Sequence, residues 1–247
     1  YKKAFFYKYL KTKNNKLMGN STFHLASITK KVIMALVGLF LVMFLLVHLG
    51  LNLTVLILEG DREIFNKAAH FMGTNLIVKI VEVGLFGFLI VHIIIGIVLQ
   101  LQNWGARPKR YKKRATTQLS FFSRYMIHTG ALIFIFLIIH FSDFYFKAKF
   151  TDLVPLITYD GKEYHDLGLL TLQKFKMGGF VIGYIIAFIL LGFHLNHAFQ
   201  SAFQSMGWNH SRYMPFIKKV GLVISILIPL GFTIIPLVIY FSEAYSV

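Results

Sequence analysis

Residues 44–53, FLLVHLGLNL, set a histidine, His48, inside a run that otherwise reads as a membrane-spanning helix. Three further stretches repeat the arrangement in separate hydrophobic segments: GFLIVHIIIG around His92, IFLIIHFSDF around His140, and LLGFHLNHAF around His194 and His197. Ionisable side chains are expensive in hydrocarbon and mark working sites by default. Four of them in four segments demand a common explanation.

The surrounding composition fits membrane spans. Of the 247 residues, 56% are hydrophobic, above the roughly 45–50% of soluble domains, and the mean hydropathy is +0.64. Five runs reach the ~20 apolar residues that cross a ~30 Å hydrocarbon core: Val32–Leu58, Leu76–Leu101, Phe121–Phe146, Met177–Phe203 and Val220–Tyr240. The expected fold class is an all-α membrane protein, a bundle of five transmembrane helices forming one domain over residues 1–247. Residues 1–31 form a basic segment ahead of it. The stretches between spans are too short for an independent soluble core. Cysteine is absent, which excludes disulfides, iron–sulfur ligation and thiol chemistry within these residues.

Charge orients the bundle. The net charge is +16. Basic residues without acidic ones crowd the N-terminal segment, the loop ARPKRYKKR (residues 106–114) and the loop carrying Arg212, Lys218 and Lys219. Acidic residues such as Asp61, Glu63, Asp152, Asp160 and Asp166 fall on the opposite side. The positive-inside rule then makes the N-terminus cytoplasmic. The basic face suits anionic lipid or a docked protein; without a recognition fold it does not suggest nucleic acid.

Orientation converts positions into depths. His48 and His140 lie past the midpoints of outward-running spans, in an outer layer. His92 and His194 lie past the midpoints of inward-running ones, in an inner layer. One histidine per helix and two per layer is what a pair of six-coordinate haems requires. Gly87 and Gly96 near His92, and Gly192 near His194, would let backbone approach a flat ring, or would serve ordinary helix packing. Structural zinc calls for four ligands around one small tetrahedron, and these histidines divide between two depths. Proton-relay transporters also bury histidine, usually with more carboxylates and broken helices than these largely uninterrupted spans show. His197, one turn beyond His194, competes with it as a ligand.

These residues resemble a known family. SITKKVIMALVGLFLVMFLLVHLGLNL (27–53), FNKAAHFMG (65–73), FLIVHIIIG (88–96), LIFIFLIIHFSDFY (132–145) and GFHLNHAFQSAFQSMGWN (192–209) are similar to the dihaem, five-helix cytochrome b membrane anchor of succinate dehydrogenase, a branch shared with some fumarate reductases. The resemblance implies two haem b groups, with His48 and His140 as axial ligands of the outer one and His92 and His194 of the inner one. It implies a flavoprotein subunit carrying FAD and an iron–sulfur subunit, docked on the cytoplasmic face of a bacterial inner membrane. Succinate oxidation would occur in those subunits, and menaquinone would exchange electrons with this one. Some relatives place an acidic residue just after the AHFM motif, where this chain has Gly73.

Glu82, in the outer half of the second span, and His70, in the first outer loop, are candidate quinone-site residues; the alternative for Glu82 is an ion pair with Lys79, three residues earlier. Lys30, Lys31, Arg124 and His128, at inner mouths of spans, are candidate partners of haem propionates. Two other functions stay open on sequence: the anchor of another quinone-linked dehydrogenase or reductase, and a proton-coupled transporter using buried His and Glu.

Overall fold

A computed structural model describes residues 27–57, 62–105 and 125–245. Helix α1 (Ser27–Leu53) runs into a 3₁₀ turn, Thr54–Leu56, and is followed by the short α2 (Glu63–Thr74) and the long α3 (Leu76–Gly105). Helix α4 (Met126–His140) continues through a π-helical turn, Phe141–Tyr145, into α5 (Phe146–Phe150). A two-stranded hairpin follows, β1 (Leu156–Tyr159) and β2 (Lys162–His165). Helices α6 (Leu167–Phe175), α7 (Gly178–Ser205) and α8 (Met214–Phe241) complete the described chain, with a last 3₁₀ turn at Glu243–Tyr245.

Five helical segments are long and apolar enough to cross a membrane: Ile28–Leu56, Leu76–Gly105, Met126–Phe150, Gly178–Ser205 and Met214–Phe241. The fold is therefore a multi-pass helical membrane bundle. Helices α1 and α8 begin five or six residues earlier than hydropathy suggested, because the turns bearing Lys30, Lys31, Lys218 and Lys219 are helical although not apolar. Lysine stems of this kind reach the interface while their backbone stays in the helix. The stretch 121–124 lies outside the described residues.

Two expectations need correction. The first and third connections are not plain loops: one holds α2, the other the hairpin and α6. Nor are the spans uninterrupted, since a π turn follows His140 and Pro229 and Pro236 lie inside α8. π turns insert a residue and re-aim the side chains beyond it, often beside functional groups.

Helix α7 packs against α1, α4 and α8, and α1 against α3 and α8. Their shared core includes Val42, Val181, Phe188, Ile228, Phe232 and Ile239. Helices α3 and α4 contain no fully buried residue; their outward faces, with Ile80, Val83, Ile94 and Ile135, are the apolar surface a bilayer covers. Gly192 is a packing residue rather than a ring-facing one. A Cβ there would come 2.9 Å from the Ser225 carbonyl oxygen of α8, which Pro229, lacking an N–H, leaves without its helical donor. Gly192→Ala must push backbone from backbone and should cost about 1–3 kcal/mol, read as a lower melting temperature in detergent; an unchanged melt would mean that α8 gives way freely.

The hairpin side carries a buried polar latch. The two-residue turn Asp160-Gly161 has φ of 51° and 75°, the left-handed pair of a type I′ turn, which explains its glycine. Arg62 forks onto Asp166, Nε to Oδ1 at 3.0 Å and Nη2 to Oδ2 at 3.0 Å. Asn66, fully buried, donates to Asp166 Oδ1 at 2.9 Å and accepts from the Gly168 N–H at 2.9 Å. Asp166 also caps α6 by accepting from the Leu169 N–H at 2.9 Å. Lys67 pairs with Glu63 and Asp160, and Asp143 holds Lys147 and Lys174, so this side neutralises its own basic residues.

Burial pushes the Asp166 carboxyl up, but Arg62, Asn66 and the Leu169 N–H together hold it below the ordinary carboxylate value. A lowered folded-state pKa adds stability above the unfolded value, near 3.9, and loses it as pH falls through the folded value. Protection of the Gly168 and Leu169 amides, corrected for intrinsic exchange, should therefore fall only below about pH 4. A fall beginning near neutrality would assign the latch to another group.

Candidate functional site

The structure brings His48 of α1 against His140 at the end of α4, ring centroids 5.9 Å apart and planes at 84°. It brings His92 of α3 against His194 of α7, centroids 6.2 Å apart and planes at 63°. His194, not its neighbour His197, is the ring that meets His92. Each pair joins helices distant in sequence, so the pairing is a product of the bundle rather than of local geometry.

The pairs occupy two depths. A Cβ on Gly38 would sit 4.0 Å from His92 Cε1, which places Gly38 level with the second pair. His48 is ten residues further along the same helix, or about 15 Å at 1.5 Å per residue. A Cβ on Gly130 would likewise sit 3.6 Å from His194 Cε1, and His140 is ten residues further along α4. Each helix that carries a hairpin-side histidine thus offers a glycine to the other layer.

Aromatic neighbours hold the first pair. Phe44 stacks on His48 at 5.2 Å and 19°, and Phe136 on His140 at 5.7 Å and 21°, each from one turn earlier. Phe232 of α8 closes on His48 at 5.7 Å. The Tyr184 hydroxyl lies 3.1 Å from His140 Nδ1. Asn52 Nδ2 donates to the His48 carbonyl at 2.7 Å and lies 3.4 Å from its Nδ1. In the second pair, Thr129 Oγ1 lies 3.3 Å from His194 Nδ1.

Metal–imidazole bonds of about 2.0–2.1 Å, plus the distance from ring nitrogen to ring centre, put two imidazoles on opposite sides of one metal with centroids roughly 6 Å apart. Both pairs have that spacing. No group of three or more His, Cys, Asp or Glu among the described residues could hold a metal, so the described residues offer two imidazoles per layer and no zinc-like cage. Gly38 and Gly130 flank the second pair, where an added Cβ would rest in van der Waals contact with the rings. The residues fit a haem held by two imidazoles in each layer.

Glu82 lies on the hairpin side of His92 by ten residues, which sets it level with His48 and His140. Its carboxylate does not pair with Lys79 but accepts from the Tyr145 hydroxyl, at the end of the π turn, and from Lys149, one turn beyond it. Phe86 packs against Phe141 and Tyr145 at 5.5 and 5.1 Å, closing an aromatic wall beside it. His70 sits on α2 with its ring edge-on to Tyr164 of the hairpin, 4.9 Å away, and does not join Glu82.

Among the propionate candidates, Lys30 donates to Gln102 of α3 at 3.1 Å. Lys31 and His128 are exposed, the latter against Tyr125, and Arg124 lies outside the described residues. The glycines singled out from sequence do not face the rings: Gly96 packs on Met34, Gly192 on Ser225 and Pro229, and Gly87 has nothing within 4 Å of its Cβ position.

Sequence reading missed Gly38, Gly130, Thr129, Tyr184, Tyr145 and Lys149. A signal for the glycines was present. GLFLVMFLLVHLG (38–50) and GALIFIFLIIHFS (130–142) share a glycine ten residues before the histidine and a phenylalanine four before it. The tyrosines and Lys149 carried no such signal, because their partners lie on other helices. Comparison of the chain with protein-family models, curated protein sequences and solved structures gives no match.

Proposed function

We propose that this chain is the haem- and quinone-binding membrane anchor of a succinate:quinone oxidoreductase, set in a bacterial cytoplasmic membrane with its N-terminus cytoplasmic. The observation that carries the reading is the two histidine pairs at metal-sharing distance, stacked about 15 Å apart along the bundle. His48 with His140, and His92 with His194, are the axial ligands. When bound, the two haem b groups supply one-electron carriage between the partner subunits and menaquinone.

The chain's own residues do the rest. Phe44, Phe136 and Phe232 wall the first pair from lipid and water. Hydroxyls at Thr129 and Tyr184 orient two of the rings, as outer hydrogen-bonding groups do for metal-bound histidine. Quinone reduction consumes protons, and Glu82 with Tyr145 forms a proton-holding pair level with the first histidines. Lys149 donates to the same carboxylate; His70, on α2, is not part of this pair. The basic face accepts the iron–sulfur subunit, which docks with the flavoprotein; no succinate-oxidising site lies in this chain.

Two experiments test the reading. Affinity purification from the native membrane should recover a flavoprotein and an iron–sulfur protein, crosslinked from lysines on the N-terminal side of the bundle. Recovery of a hydrogenase or formate dehydrogenase would reassign the anchor, and recovery of the chain alone would count against an anchor. Glu82→Gln should lower quinone turnover about 100-fold, the low end of a general acid–base contribution, with the visible spectrum unchanged. Unchanged turnover would leave Glu82 as a structural ion pair.

A further inference from the structure

The repeated frame that builds the two halves of the bundle is not symmetric at one place. Gly38 and Gly130 stand opposite His92 and His194 in matching positions. The residue before Gly130 is Thr129, and the residue before Gly38 is Val37. The two side chains are nearly the same shape, but only threonine has an oxygen.

That oxygen has a defined role. Thr129 Oγ1 donates its one proton to the Met126 carbonyl at 2.9 Å. Toward His194 Nδ1, 3.3 Å away, it has only lone pairs to offer. His194 therefore carries its proton on Nδ1 and leaves Nε2 unprotonated, the form that binds a metal through Nε2. His92 has no counterpart: its Nδ1 is buried and has no hydrogen-bond partner among the described residues, and Val37, itself buried, cannot supply one.

We propose that Thr129 is a positioning residue that makes the two inner histidines unequal ligands, its hydroxyl supporting His194 while Val37 leaves His92 unsupported. The inference rests on the haem reading of the pairs. An acceptor on the Nδ1 proton makes an imidazole a stronger donor through its other nitrogen, which favours the oxidised metal and lowers its reduction potential. The inner layer therefore has one strengthened ligand and one unassisted ligand, and a single exchange of Val for Thr at either position moves that balance.

The test is a redox titration of the purified, haem-loaded chain, followed optically and by low-spin electron paramagnetic resonance. Thr129→Val should raise the midpoint potential of one haem and leave the other where it was, and Thr129→Ser should retain the wild-type value. Val37→Thr should shift the same haem the opposite way, by giving His92 the acceptor it lacks. If Thr129→Val does not assemble, Val37→Thr decides alone. Haem-loaded variants whose potentials stay unchanged, or in which both haems move together, would overturn the inference. A wild-type chain that binds no haem would instead overturn the reading of the histidine pairs themselves.

Discussion

Alanine at His48 or His140 should remove one haem and spare the other, and alanine at His92 or His194 should remove the complementary one. Haem content would fall from about two per chain toward one. The reason is geometric: each pair takes one ring from each of two helices, so truncating either leaves a single imidazole of that pair. His197 is the informative control. It is one turn from His194, yet His194 faces His92, so His197→Ala should keep both haems. Pyridine–haem quantitation with difference spectra distinguishes these outcomes. Full low-spin haem in any of the four variants, or loss of haem on replacing His197, would contradict the ligand assignment.

Arg62→Ala should produce the largest structural effect outside the helical core. The Asp166 side chain is 4% exposed and held by both nitrogens of the guanidinium fork. Removing Arg62 leaves a buried carboxylate without its countercharge, which costs about 3 kcal/mol. Arg62→Lys would restore charge without the fork and should recover only part of it. The stem of Arg62 also lies across Gly168, where a Cβ would come within 2.7 Å, so the latch and the start of α6 loosen together. The effect should be local: proteolysis near the Asp160-Gly161 turn should accelerate while the histidine pairs keep their spectra. Haem loss in Arg62→Ala would mean that the cap also holds the bundle's spacing.

The five spans were legible because hydropathy is a property of each segment alone. The grouping of the four histidines into two layers was legible for a related reason, since helix rise and alternating direction convert a position into a relative height. The partners of Glu82 were not. Lys79 is its neighbour in sequence, whereas Tyr145 and Lys149 reach it only because the π turn after His140 re-aims the end of the third span. Gly192 was open to two readings because it adjoins His194 in sequence, and its open face, turned to Ser225 of α8, is that of the packing one. The latch around Asn66 was hidden too, because Arg62 and Asp166 are 104 residues apart and nothing in either segment marks the other.

The most direct test of the central claim is the haem content and spectrum of the purified wild-type chain. Two histidine pairs at metal-sharing spacing predict about two b-type haems per chain, both low-spin and six-coordinate, with overlapping α bands resolved by redox titration. A chain that purifies folded and free of haem, or that binds a single high-spin haem, would contradict the account.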